Sequence, residues 1–262
     1  MKFGVLRNIA GNIVALKDVD RQFDEFGVDA KVSLGDTPGL YPYVNECVEF
    51  LIARKYLALR TPLDDAFIGC CDGTEDFLGW STIHLVEALK FAQRTVAAKT
   101  LEFLRAMPKR LEFNDVAFES WLTVGEKVHF LYKPEDVAAA FAAWKHRTVI
   151  HAAEFDPYVW REDLTKVTLS TGRNAFDRDG RILISTGGVG CHYRGSVNTH
   201  QPAAIVYDDE NRTVHLLRPM CDVRKIFDRL RQTEYPQSVL TSLEGFGRYK
   251  AFEYKVWLNM EA

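Results

Sequence analysis

A chain of 262 residues, 47% hydrophobic and 26% charged, can bury one sizeable core and has the balance of an ordinary folded protein, which excludes a disordered chain. Its 33 basic and 36 acidic residues leave a formal charge of −3 with no long block of either sign, which excludes an electrostatic footprint for nucleic acid. The opening apolar run Met1-Lys2-Phe3-Gly4-Val5-Leu6 breaks at Arg7, too early for a signal-peptide core or a membrane span, so a cytoplasmic protein with no membrane role is expected.

In chain order, Phe3 to Leu6 reads as a buried strand. Ile13, Leu16, Val19, Phe23 and Phe26 then recur at helical spacing, and Gly27 ends that helix. Val32 to Leu34 is a second strand, followed by the turn-rich Thr37-Pro38-Gly39-Leu40-Tyr41-Pro42. A helix over Val44 to Ala53 and a strand over Tyr56 to Leu59 complete two βαβ units with parallel strands. Residues 64 to 80 read as irregular and acidic, and residues 81 to 106 as helical up to the stop at Pro108. Leu111 to Trp121 carries strand character, Pro134 opens a helix to Trp144, and Thr148 to Ile150 is a strand. Ile182 to Ile184, Ala204 to Val206 and Val214 to Leu217 follow as a meander forming a second sheet. Two helices, Val223 to Gln232 and Gln237 to Leu243, precede an aromatic tail with Tyr249, Phe252, Tyr254 and Trp257, which suits either a protein interface or an edge strand. Five cysteines, Cys47, Cys70, Cys71, Cys191 and Cys221, are expected as reduced thiols, and adjacent Cys70-Cys71 lacks the second Cys or His pair that a metal site needs.

Several motifs carry a resemblance. Arg7-Asn8-Ile9-Ala10-Gly11-Asn12 resembles the Asp-x-His-Gly-Asn segment that opens the calcineurin-like metallophosphoesterases of the bacterial phosphodiesterase type. Leu34-Gly35-Asp36, Gly39-Leu40-Tyr41-Pro42 and Asn45-Glu46 are similar to the family's Gly-Asp segment and the loop and helix after it. Ile184 to Gly190 is similar to its last strand and turn, and the helix from Asp222-Val223 fits as well, so the likeness spans residues 2 to 245. The resemblance implies a four-layer α/β/β/α sandwich with mixed sheets and a parallel N-terminal βαβ part. The whole chain, 1–262, is then one domain with a helical insertion at 64–106.

The resemblance also implies where two divalent cations would sit and what is missing there. The first Asp becomes Asn8 and the first His becomes Ala10, which cannot ligate; the expected bridging carboxylate, Asp36, remains. The family's Gly-Asn-His-Asp falls on Arg60-Thr61-Pro62-Leu63-Asp64, so Pro62 and Leu63 stand where the amide ligand and the catalytic imidazole are lost, and Asp64 is left with no partner to orient. A further His falls at Glu119, and the final Gly-His-Thr-His becomes Ala152-Ala153-Glu154-Phe155, losing two more imidazoles at Ala153 and Phe155. With its metals gone Asp36 needs a positive neighbour, and Arg7 and Arg60, both at strand ends, are the candidates for that partner or for holding an anion. The remaining histidines, His84, His129, His146, His192, His200 and His215, stand in no ligand spacing, and Gly187 to Gly190 is a tight turn without the Lys-Ser/Thr of a phosphate loop. The expectation is therefore a catalytically inactive binding or scaffolding subunit with no cofactor, partnered by a protein, by a second copy of itself, or by an anionic small molecule. The alternative is a divergent phosphoesterase with one Mg²⁺ or Mn²⁺ ion on Asp36 and Glu119, with His151 or Asp64 as a further ligand.

Overall fold

The computed structural model describes residues 1–77, 83–121, 123–124, 127–128, 131, 133–152, 156–177, 179–190, 202–218, 224–241 and 243. Strand β1 (Lys2–Leu6) shows how the layers arise: Phe3 and Val5 point into one core and Leu6 into another, as a period of two dictates. Gly4 faces the ring of Phe23, and a Cβ there would lie 2.7 Å from it, so only glycine lets helix α1 (Ile13–Phe26) settle this close. Asn12 caps that helix by accepting from the Ala15 amide, and Gly27 closes it at φ 60°. Strand β2 (Ala30–Ser33), helix α2 (Val44–Ala53) and strand β3 (Leu57–Ala58) follow, and β1, β2 and β3 run parallel as the sequence predicts.

Residues 64–80, expected to be irregular, begin instead as helix α3 (Pro62–Asp72). Two of the acidic residues that suggest a loop, Asp64 and Asp65, are its first turn: Thr61 is the N-cap, Pro62 the first helical residue, and Asp64 returns the capping box. Helices α4 (Ile83–Thr95) and α5 (Ala98–Ala106) pack with α3 and α2 around Val44, Val48, Phe67, Leu89 and Leu104.

The predicted strand over 111–121 divides into a hairpin, β4 (Arg110–Phe113) and β5 (Val116–Glu119), which turns at Asn114 with φ 51°. A small pair, β6 (Thr123–Val124) and β7 (Lys127–Val128), leads to helix α6 (Pro134–Ala143) and strand β8 (Thr148–His151). Three strands that the sequence reading did not expect come next: β9 (Pro157–Arg161), β10 (Lys166–Thr168) and β11 (Gly172–Ala175). Strands β12 (Ile182–Thr186), β13 (Ala204–Asp208) and β14 (Thr213–Leu217) and helix α7 (Arg224–Leu230) complete the numbered elements.

One sheet has the order β11-β14-β13-β1-β2-β3 and the other β10-β9-β12-β8-β5-β4. The expected meander is thus corrected. The hairpin β13–β14 joins β1 in the first sheet, while β12 enters the second beside β8, because the stretch from Thr186 to Ala204 is far longer than a hairpin turn. Phe3, Val5, Val32 and Leu34 of the first sheet meet Phe118, Ile150, Val159 and Ile184 of the second. Helix α1 covers the outer face of the first sheet and α6 that of the second, giving four layers. None of the described helices is long and apolar enough to cross a membrane. The aromatic tail, Cys191, Cys221, His129, His192 and His200 lie outside the described residues.

Candidate functional site

The loops that leave β1 and β2 are laced together by backbone hydrogen bonds. The Asn8 amide donates to Gly35 O at 2.9 Å, Ala10 to Asp36 O at 2.9 Å and Gly11 to Thr37 O at 2.8 Å. The turn after β12 closes over the same place, with Val189 N donating to Arg7 O at 3.0 Å and Gly190 N to Asn8 O at 2.7 Å. A Cβ on Gly190 would stand 1.8 Å from Ile9 O, so the glycine is what allows the approach. Asn8, Ala10 and Asp36 all have left-handed backbones, φ 52°, 54° and 55°, each costing about 1–2 kcal/mol for a residue with a Cβ. Strain concentrated in three non-glycine residues at adjoining strand ends marks this as the place to look for function.

Arg7 continues the alternation of β1, so its side chain falls on the same side as Phe3 and Val5, between the sheets. It is 2% exposed, and its Nη2 lies 3.6 Å from Asp36 Oδ2. The other oxygen of Asp36 meets the Thr61 hydroxyl at 2.7 Å, and that hydroxyl is also 2.8 Å from Asp64 Oδ2. A hydroxyl has one proton, so it bridges both carboxyls fully only when one of them carries another. Asp64 is the one placed to do so: burial first, then the charge of Asp36, pushes its carboxyl up to about 6. Asp64 has no imidazole to orient, with Leu63 at that position, and organises backbone instead. It accepts the amides of Thr61 at 2.9 Å, Asp36 at 3.0 Å and Thr37 at 2.9 Å, so it shapes the loop that presents Asp36.

Other predicted site residues are placed differently. Arg60 turns away from Asp36: its Nε lies 2.7 Å from Asp65 Oδ1 and its Nη1 donates to Arg105 O at 2.6 Å, along the first turn of α3. Pro62 and Leu63 are helical, and Leu63 packs among α2–α5, so neither position offers a donor. Ala10 is buried in the core against α1. The Nδ2 of buried Asn8 has no hydrogen-bond partner among the described residues, and a Cβ on Gly188 would come within 2.9 Å of it. Ala153 and Phe155 lie outside the described residues.

Glu119 is the largest correction. In β5, Val116 and Phe118 enter the core between the sheets while Ala117 faces α6, so Glu119 follows Ala117 and points away from Asp36. Its Oε1 is 3.3 Å from Arg110 Nε, and the Arg110 guanidinium stacks 4.3 Å from the ring of Trp144, the residue that ends α6. His151 shares that face with Val149. The registers Arg110↔Glu119, Glu119↔His151, Ser185↔His151 and Ser185↔Tyr158 place a row of polar residues across five strands of the second sheet. Burial raises the Glu119 carboxyl to about 8 against the pull of Arg110. Burial, helped by the charge of Arg7, lowers His151 to about 3. Sequence reasoning missed this row because Val116-Ala117-Phe118-Glu119 and Thr148-Val149-Ile150-His151 are buried on both faces and show no polar alternation to tell one face from the other.

The metallophosphoesterase from Sphaerobacter thermophilus superposes with a TM-score of 0.74 over 94% of this chain and 100% of its own, at 21% identity. The fold is that of the calcineurin-like metallophosphoesterases. A hypothetical protein from Pyrococcus horikoshii has the same fold, with a TM-score of 0.69, 17% identity, and coverage of 92% of this chain and 96% of that one. An uncharacterized protein of Methanocaldococcus jannaschii is 22% identical over 237 residues, 89% of this chain and 93% of the relative. No family model matches the chain. The metal pair that the metallophosphoesterase fold implies finds a poor donor set here. Of the expected ligand positions among the described residues, only Asp36 brings a carboxylate to this crevice, and its oxygens face the Thr61 hydroxyl and the Arg7 guanidinium. Ala10 has no donor and Glu119 lies on the other face of its sheet. No three His, Cys, Asp or Glu side chains among the described residues come together as a metal site. Among the described residues the donor set does not fit two divalent cations.

Proposed function

We propose that this protein is a catalytically inactive representative of the metallophosphoesterase fold that serves as a binding or scaffolding subunit. The observation that carries the reading is the state of Asp36, held by Thr61 on one oxygen and faced by buried Arg7 on the other. Phosphoester hydrolysis on this fold needs cations to activate water and to neutralise phosphate charge, and a group to protonate the leaving oxygen. The position that resembles the family's catalytic imidazole is Leu63, inside α3. Support for a protein partner over an anionic small molecule comes from the two candidate arginines, since Arg7 faces Asp36 and Arg60 faces Asp65. A guanidinium already matched by a carboxylate has little attraction left for a phosphate. The partner is another protein or a second copy of the chain, recognised through surface rather than through the crevice.

The test is metal content after exposure to Mn²⁺ and Mg²⁺, run beside hydrolysis of a chromogenic phosphodiester with Asp36→Ala as control. The expected result is hydrolysis no greater than the control and no stoichiometric metal. Turnover that vanishes in Asp36→Ala would overturn the reading and make the protein a divergent phosphoesterase.

A further inference from the structure

Resting on that reading, the geometry points to a specific relation between Arg7 and metal: the guanidinium of Arg7 is the resident counter-cation of Asp36, and it excludes a divalent cation that the same carboxylate would otherwise hold. Asp36 is a buried carboxylate whose charge must be balanced where it stands. Thr61 supplies one hydrogen bond but no charge, and Asp64, behind Thr61, supplies no positive charge either. Arg7 supplies the charge from the neighbouring strand, 3.6 Å away and almost wholly buried. A guanidinium suits this duty because burial does not deprotonate it, whereas a buried lysine can give up its proton.

The alternation of β1 fixes the competition sterically. Arg7 directly follows Leu6 and is almost wholly buried on the side of Phe3 and Val5, so taking its side chain away from Asp36 would disturb the packing between the sheets. Its guanidinium stands against the Asp36 oxygen that is not bonded to Thr61. That oxygen is the one a hard cation would take, completing its shell with water and neighbouring oxygens. One substitution, Arg7→Met, keeps most of the side-chain volume, removes the charge and opens the carboxylate. The uncovered Asp36 then gains stability from Mn²⁺ or Mg²⁺.

The experiment is thermal unfolding at pH 8 in EDTA or in millimolar Mn²⁺, for the wild type, Arg7→Met, Asp36→Asn and the double variant. The wild type is expected to melt at the same temperature in both. Arg7→Met is expected to melt lower in EDTA by roughly 5 °C or more and to recover part of that saturably with Mn²⁺. The double variant is expected to ignore Mn²⁺ and to melt above Arg7→Met, so the two substitutions are not additive. Stabilisation of the wild type by Mn²⁺, an Arg7→Met protein as stable as the wild type or indifferent to Mn²⁺, or additive single effects would each overturn the inference. If Arg7→Met does not fold, Asp36→Asn decides: lowered stability from the stranded Arg7 supports the pairing, and wild-type stability overturns it. Additivity in an inactive, metal-free protein sinks only this inference, whereas Mn²⁺-dependent hydrolysis by the wild type sinks the functional reading on which it rests.

Discussion

Glu119 and His151 sit side by side at the ends of β5 and β8, and burial drives both toward their neutral forms. The consequences for stability have opposite signs. With its carboxyl raised from 4.5 to about 8, Glu119 keeps in the folded state a proton that the unfolded chain has lost. Stability therefore falls as pH rises through that window, by up to ~1.4 kcal/mol per pH unit where the difference is a whole proton. His151, lowered from 6.5 to about 3, refuses a proton that the unfolded chain accepts, so its contribution falls as pH drops through that range. Asp64, raised from 3.8 to about 6, acts like Glu119 but at lower pH and so opposes His151 there. Above pH 6.5 Glu119 alone of the three remains in its window. Urea unfolding is expected to show a midpoint that declines between pH 6.5 and 8, and Glu119→Gln should flatten the decline; an unchanged slope in that variant would place the titrating group elsewhere.

At the scale of elements, α3 shows how a local signal was readable and still misread. Thr61-Pro62-Leu63-Asp64 has an N-cap residue, a proline at the first helical position and an acid three residues on, all favourable at a helix start. The acidic residues of this stretch suggest an irregular segment, and the capping chemistry decides otherwise. Thr61 does more than cap, because the same hydroxyl bridges Asp36 and Asp64. Thr61→Ala is expected to cost about 2–3 kcal/mol, roughly 1 for the cap and the rest for two buried carboxyls losing a donor. Thr61→Ser keeps the hydroxyl and should recover most of it. Chemical denaturation compares the two, and equal losses would show that the methyl group, not the hydroxyl, matters. Elements whose signal was local, such as α1 with its apolar stripe and Gly27, or β1 to β3 with short parallel crossovers, stand where the sequence placed them. Strand β9 was hidden because Tyr158, Val159 and Trp160 are buried on both faces and show no polar alternation.

At the scale of the molecule, what the sequence could not show is which sheet a strand joins and which face a side chain takes. Strand β12 looks like the neighbour of β13 in sequence, yet it pairs with β8 and β9, a choice made by contacts far apart in the chain. The same limit hid the candidate site: Asp36 and Arg7 were legible from their place at strand ends, whereas Glu119 was assigned to the crevice because its strand face was unknown.

Arg212 shows how the two sheets are held once such choices are made. It lies between β13 and β14 with φ 53°, is fully buried, and reaches across to the second sheet, donating to Thr148 Oγ1 at 2.7 Å and to Gly180 O at 3.0 Å. Tyr207 OH stands 2.8 Å from the same Thr148 hydroxyl, so those two oxygens can satisfy each other if the arginine is removed, but Gly180 O would be left without this donor. Arg212→Ala loses the hydrogen bond and leaves a cavity, and is expected to cost about 3–4 kcal/mol. Arg212→Met fills much of the space and removes a buried charge bound to neutral oxygens, so about 1–2 kcal/mol is expected. Urea midpoints at constant slope measure both. If methionine proves as costly as alanine, the hydrogen bonds of the guanidinium, rather than its volume, join the sheets at this end.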